Sequence, residues 1–242
     1  MSTLFISDLH LCSSRPKIND LFFDFLEHTA SRAEALYVLG DLFEYWPGDD
    51  DLAAPLHNKV AAAFSALKKK GVELYLMHGN RDFLVGNTFC MAASITLLSD
   101  PAKITLYGKP TLLMHGDTLC TDDTSYMAFR AKVRNTAWQE GFLSKPLAER
   151  KAIIEGLRQE SKAEQSQKPH EILDVNQNAV EQVLRAHGYP RLIHGHTHRP
   201  AKRLHTVDGH ICERWVLPDW YEGGGYLICE ESGCQAKEIH VG

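Results

Sequence analysis

Several features that would fix the class of this chain at once are missing from it. Its six cysteines, Cys12, Cys90, Cys120, Cys212, Cys229 and Cys234, form no C-x-x-C pair. That excludes a zinc knuckle or a redox dithiol of the usual spacing, and the cysteines read as reduced thiols. No window approaches the ~18 consecutive apolar residues of a membrane span. The N-terminus MSTLFISDLH has neither a basic n-region nor a long apolar core, so no secretory leader is expected. Basic excess is missing too: 26 Lys and Arg stand against 31 Asp and Glu, a net charge of −5. A whole-chain electrostatic footprint for nucleic acid is therefore not expected. There is no internal repeat and no low-complexity segment.

What remains is 242 residues, 44% of them hydrophobic, enough for a sizeable core in one or two domains. Short runs rich in Val, Ile, Leu, Tyr and Phe predict strands at 3–7, 35–40, 72–79 and 191–195, with a hairpin over 103–116 that turns at Gly108 to Pro110. Helical spacing runs through 18–34 (Ile18, Leu21, Phe22, Phe25, Leu26) and 55–70 (Val60, Phe64, Leu67), the latter closing on KKKG, a basic end suited to a helix C-terminus. Strand and helix alternate, so the fold class is α/β. Three β-like runs follow residue 200, at 211–218, 225–231 and 236–242, and GGG at 223–225 reads as a turn.

Residues 124–187 break this rhythm and read as helices throughout. From Ser125 to Lys168 nine Lys or Arg face five Asp or Glu, among bulky residues such as Phe129, Trp138, Phe142, Ile154 and Leu157. Two readings stay open: a helical hairpin with a solvated basic face, or a lid that meets a greasy substrate or a membrane surface. The organisation expected is a core of 1–123 and 188–242 with a helical insertion at 124–187.

The strands of the α/β part end alike, in turns carrying carboxylate, imidazole or amide groups. SDLH supplies Asp8 and His10; LGDLFEYW supplies Asp41; HGNRD supplies Asn80, Arg81 and Asp82. MHGDTLCTDD supplies His115 and Asp117, and RLIHGHTHRP supplies His194, His196 and His198. Ligands bind outside the carboxyl ends of strands in such folds. A mixed oxygen and imidazole set suits divalent Mn, Fe or Zn, and a carboxylate such as Asp41 can bridge two ions. Each motif alone is weak; their order along one chain is specific.

That order resembles the calcineurin-like metallophosphoesterase family. The resemblance implies a β-sandwich flanked by helices and two metal ions: one held by Asp8, His10, Asp41 and His198, the other by Asp41, Asn80, His115 and His196. His194 is not a ligand in that pattern and reads as structural. Asp82 and Asp117 are either groups that orient ligands or ordinary surface carboxylates.

Arg81 stands where many members of the family carry histidine. A guanidinium is no general acid at neutral pH, but it can grip phosphate oxygens with paired hydrogen bonds. That favours a leaving group needing no proton, such as a phosphate released from a pyrophosphate. With TLFISDLHLC, LGDLFEYWPGDDD, HGNRDFLVG, LMHGDTLCTDD, LDVNQNAV and LIHGHTHRP, the chain is similar to the UDP-2,3-diacylglucosamine hydrolase family of Gram-negative bacteria. The similarity implies two Mn²⁺ ions, and attack of water on the α-phosphate to give UMP and 2,3-diacylglucosamine 1-phosphate (lipid X) in lipid A biosynthesis. Asn80 and Arg81 then act on the phosphates, with His196 near them. Asp123, Ser161, Gln165 and Lys168 become substrate contacts, Gln165 standing where that family has asparagine. A monomer is expected, in the cytoplasm and peripherally on the inner-membrane surface, with a lipid-linked UDP-sugar and no nucleic acid as its partners. The rivals are a phosphoesterase acting on nucleotide or nucleic-acid diesters, and a non-catalytic scaffold, which should have lost ligands.

Overall fold

The structure is a computed structural model that describes residues 2–165 and 174–240, the side chains of 160–165 excepted. Two sheets form its centre. The first joins β1 (Thr3–Ile6), β2 (Ala35–Leu39), β3 (Glu73–Met77) and β4 (Thr96–Leu98) in parallel, then adds two C-terminal antiparallel strands, β10 (Gly224–Glu230) and β11 (Gly233–Ile239), on the far side of β1. The second runs β5 (Ala102–Leu106), β6 (Lys109–Met114), β7 (Arg191–His194), β9 (His210–Val216), β8 (Ala201–Val207). Within it β6, β7 and β9 are parallel.

Side-chain alternation along the strands explains why the sheets stack. In β1, Leu4 and Ile6 point to the helices while Phe5 points to the other sheet. In β2 the same split separates Leu36 and Val38 from Leu39. Phe5, Leu39, Met77, Leu113, Ile193, Leu217 and Leu227 form the layer between the sheets, all nearly without exposure. Buried on both faces, these strands carry no polar face, which is why they read as continuous apolar runs.

Helices cover the outer faces. On the first sheet lie α1 (Pro16–Asp24), α2 (Pro55–Lys69) and α3 (Asn87–Ala93). Helix α2 starts with Pro at its first turn, buries Val60, Ala61, Phe64 and Leu67, and ends on Lys68 and Lys69, as its spacing predicts. Burying Phe64 fully contributes about 1.5–3 kcal/mol. The segment 124–187 holds α4 (Thr124–Val133), α5 (Thr136–Leu143), α6 (Leu147–Gln165) and α7 (Gln177–Ala186). Helix α7 packs on the outer face of the second sheet, where Val180 and Leu184 are fully buried against Leu112, Met114 and Leu192. The helices standing over the strand ends are α4 to α6.

Three readings need correction. Gly224 and Gly225 open β10 rather than forming a turn, because a strand edge passes so close to Trp220 and Pro218 that any larger side chain would collide. The short α3 and β4 are absent from the sequence reading, since seven- and three-residue elements carry too little periodicity. Cys229 and Cys234 are joined in a disulfide rather than reduced. They face each other across the β10–β11 hairpin, a pairing that spacing alone hides.

Candidate active site

The turns after β1, β2, β3, β6 and β7 meet at one edge of the sandwich. Asp8, His10, Asp41, His196 and His198 all hold φ between 51° and 69°, the left-handed region. Such backbone costs of order 1–3 kcal/mol per residue and persists only where its surroundings over-determine it. Here they do. Asp8 N donates to Gly40 O (3.1 Å) and His10 N to Asp41 O (3.0 Å). Asp82, without exposure, accepts from Gly79 N and Leu42 N at 2.8 Å and from Asp41 N at 3.3 Å, locking the second turn to the third. Glycine is required where these turns touch: a Cβ on Gly79 would stand 2.1 Å from Asp41 Oδ1, and one on Gly195 would stand 2.3 Å from Asp8 Oδ2.

The expected ligands converge. Asp41 turns Oδ2 toward His10 Nε2 (3.8 Å) and Oδ1 toward His115 Nε2 (3.9 Å). Asp8 spends Oδ2 on Ser7 and on His196 N, and leaves Oδ1 3.4 Å from His198 Nε2. Asn80 Oδ1 lies 2.9 Å from both His115 Nε2 and His196 Nδ1. Two sets, Asp8 with His10 and His198, and Asp8 with Asp41 and His115, bring ligand atoms within 4.8 Å of one another.

The arrangement fits divalent cations. Asp8 Oδ1 and both His10 ring nitrogens are buried without a hydrogen-bond partner, a costly state for the chain alone. His115 donates Nδ1–H to Leu39 O at 2.9 Å, so a neutral ring aims a lone pair at Asn80 Oδ1. Two lone pairs would then oppose each other, a repulsion that a proton on the ring or a bound cation would relieve. In the bare chain it is a proton: burial opposes charge on His115, but Asp41, Asp8 and Asp117 outweigh it and push the ring up to about 9. Burial, with that charge beside it, pushes His196 down to about 3. Burial also drives Asp41 upward next to Asp82 and Asp8, repulsion that a cation would relieve.

His194 is structural. Its Nδ1 donates to Gly195 O (2.9 Å), and its Nε2 faces buried Arg214 NH1 at 3.2 Å; burial and that arginine hold it neutral, at about 4. Asp82 and Asp117 are both without exposure, so neither is a surface carboxylate. Asp117 accepts Tyr126 OH (2.6 Å) and Arg130 Nε (2.7 Å), tying α4 to the fourth turn.

A cavity of about 460 Å³ opens from this cluster. Its polar end holds His10, Asp41, Asn80, Arg81, His196 and His198. Its other end is apolar: Phe83 and Leu84 from the core, Phe129 and Val133 of α4, Trp138 and Phe142 of α5, Ile154 and Leu157 of α6. Trp138 and Phe142 stack at 5.0 Å. Asp123 lines the cavity while capping α4, accepting from Tyr126 N at 3.1 Å. The side chains of Ser161 and Gln165, near the end of α6, and all of Lys168 lie outside the described residues. The sequence reading missed Glu44, Tyr45, Trp46, Tyr126, Arg158 and Tyr221, which also line the cavity. Only Glu44, Tyr45 and Trp46 carry a signal, their nearness to Asp41.

The family model of calcineurin-like phosphoesterases matches residues 1–200. The chain belongs to that family. Full-length relatives narrow the comparison. It is 54% identical over 233 residues to UDP-2,3-diacylglucosamine hydrolase of Aromatoleum aromaticum, covering 96% of this chain and 95% of the relative. It is 51% identical over 241 residues to the protein of that name in Cellvibrio japonicus, covering 100% of both. In Aeromonas hydrophila subsp. hydrophila the figures are 51% over 242 residues, covering 100% and 99%.

Proposed function

We propose that the chain hydrolyses the pyrophosphate bond of UDP-2,3-diacylglucosamine, releasing UMP and 2,3-diacylglucosamine 1-phosphate, a step of lipid A biosynthesis. One observation carries this reading: a single cavity joins a cation-ready cluster to an aromatic and aliphatic wall. A substrate that is both a phosphoanhydride and doubly acylated uses both ends; a nucleobase could stack on the aromatic part, but the aliphatic Leu84, Val133, Ile154 and Leu157 match acyl chains. The shared name of the relatives supports the same substrate.

Two Mn²⁺ ions are the cations proposed, one at Asp8, His10, Asp41 and His198, the other at Asp41, Asn80, His115 and His196. Bound there, they would polarise phosphoryl oxygens and ease deprotonation of the attacking water. The chain's own residues do the rest. Asn80 and Arg81 sit in adjacent positions at the polar end, where the amide and the guanidinium grip the phosphates and Arg81 offsets developing charge. Asp123, at the start of α4, offers a carboxylate to the nucleotide or sugar part. A leaving phosphate needs no proton donor.

Among the described residues no helix is long and apolar enough to cross a membrane. Phe129 and Leu143 are exposed on α4 and α5, and Lys132 of α4 is exposed too. We place the chain as a monomer on the cytoplasmic face of the inner membrane, the helical wall against the lipid that supplies its substrate. Hydrolysis in ¹⁸O-labelled water tests the chemistry: the label enters UMP if water attacks the α-phosphate. Label in the sugar phosphate, or no UMP at all, overturns the proposal.

A further inference from the structure

Glu44 is given no task by anything above. It follows Asp41 by three residues on a fixed stretch of backbone, its N–H donating to Leu11 O at 3.1 Å. Its two carboxylate oxygens face different parts of the molecule. Oε2 stands 3.3 Å from His10 Nδ1, without hydrogen-bond alignment, while His10 turns Nε2 to Asp41. Oε1 accepts Arg158 NH2 of α6 at 2.8 Å. Burial works to raise this carboxyl, and His10, Arg81 and Arg158 overcome it and hold it at about 2, so it is a carboxylate throughout the neutral range.

We propose that Glu44 is a positioning residue that joins the cation site to the helical wall. The proposal rests on reading the cluster as a cation centre. When Nε2 of His10 serves a cation, the ring's proton must sit on Nδ1, and Glu44 Oε2 is the acceptor in front of it. The contact then closes into a hydrogen bond, and the carboxylate that it orients is the one that anchors Arg158. Without a cation the proton is free to sit on either nitrogen, and Glu44 loses that hold. Cation binding and the seating of α6 are thereby coupled, and coupling is reciprocal: whatever seats Arg158 on Glu44 strengthens the cation site. Nearer its start, α6 is fixed by other means, Arg150 to Pro47 O and Asp50, and Lys151 to Asp51 at 2.6 Å. The part of the helix that responds to the cation is therefore its middle, around Ile154 to Arg158.

The test is Mn²⁺ titration calorimetry on the full chain together with hydrogen exchange of α6 peptides, with and without Mn²⁺. In the unaltered chain Mn²⁺ slows exchange around residues 154–159. Glu44→Gln keeps the shape, weakens Mn²⁺ binding ~10–100-fold and abolishes the slowing. Arg158→Gln also abolishes the slowing but weakens binding less, by roughly 5-fold. If Glu44→Gln fails to fold, Arg158→Gln alone decides, since its α6 must stop responding to Mn²⁺. Unchanged Mn²⁺ affinity in Glu44→Gln, or slowing that persists in either variant, overturns the coupling while leaving the cation centre intact. An unaltered chain that binds no Mn²⁺ overturns both.

Discussion

The strand-end turns and the helical wall meet at one cavity but are held by different forces. The turns sit on a fully buried sandwich, and their contacts are backbone hydrogen bonds and a carboxylate without exposure, Asp82. The wall stands on long charged side chains: Arg130 to Asp117, Arg134 to Gly79 O, Arg150 to Asp50 and Arg158 to Glu44. The difference suits the two tasks. Ligands must keep their places against strain, whereas a wall proposed to admit an acylated substrate gains from resting on a few side-chain contacts that can open locally.

Substitutions can break this comparison from its strongest point to its weakest. Asp82→Ala leaves several buried amides without an acceptor, a loss of about 3 kcal/mol or more. Thermal unfolding should fall by roughly 6–12 °C, with cation binding lost alongside it; a variant that melts like the unaltered chain would show that the turns do not depend on this carboxylate. Arg150→Met, on the wall, removes a buried guanidinium that serves Lys145 O and Pro47 O. It should cost about 2 kcal/mol in denaturant unfolding yet leave Mn²⁺ affinity within roughly 3-fold, affinity being set by the turns.

Trp138→Ala trims the apolar end. Steady-state kinetics should show KM for the acylated substrate rising roughly 10-fold, about 1.4 kcal/mol, with hydrolysis of a small chromogenic phosphodiester unaffected. An equal loss on both would place Trp138 in the fold rather than at the substrate. The smallest effect belongs to the exposed pair Arg185 and Asp208, remote from both regions. Arg185→Ala should leave the melting temperature within about 2 °C.

The contrast also marks what a reader of the sequence can reach. Asp8, His10, Asp41, Asn80, His115, His196 and His198 are legible because each ends a strand, and strand ends converge by topology. The α/β class follows from runs that are buried on both faces. The pairing of Glu44 with Arg158 stays hidden, since it depends on how a helix more than a hundred residues later crosses the second turn. Tyr126 and Tyr221 are hidden for the same reason: an aromatic residue carries no sign in sequence of which cavity it lines. The Cys229–Cys234 pair is hidden too, because hairpin register, not cysteine spacing, brings the two together.

That one cavity serves both the phosphoanhydride and the acyl chains is the proposal on which the rest stands. It is tested most directly by following UMP release in detergent micelles with Mn²⁺, from UDP-2,3-diacylglucosamine and from UDP-N-acetylglucosamine, with the unaltered chain and with Asp41→Ala. UMP should come from the acylated substrate alone, and none from the variant. Equal release from both sugars, or release that survives the loss of Asp41, would contradict it.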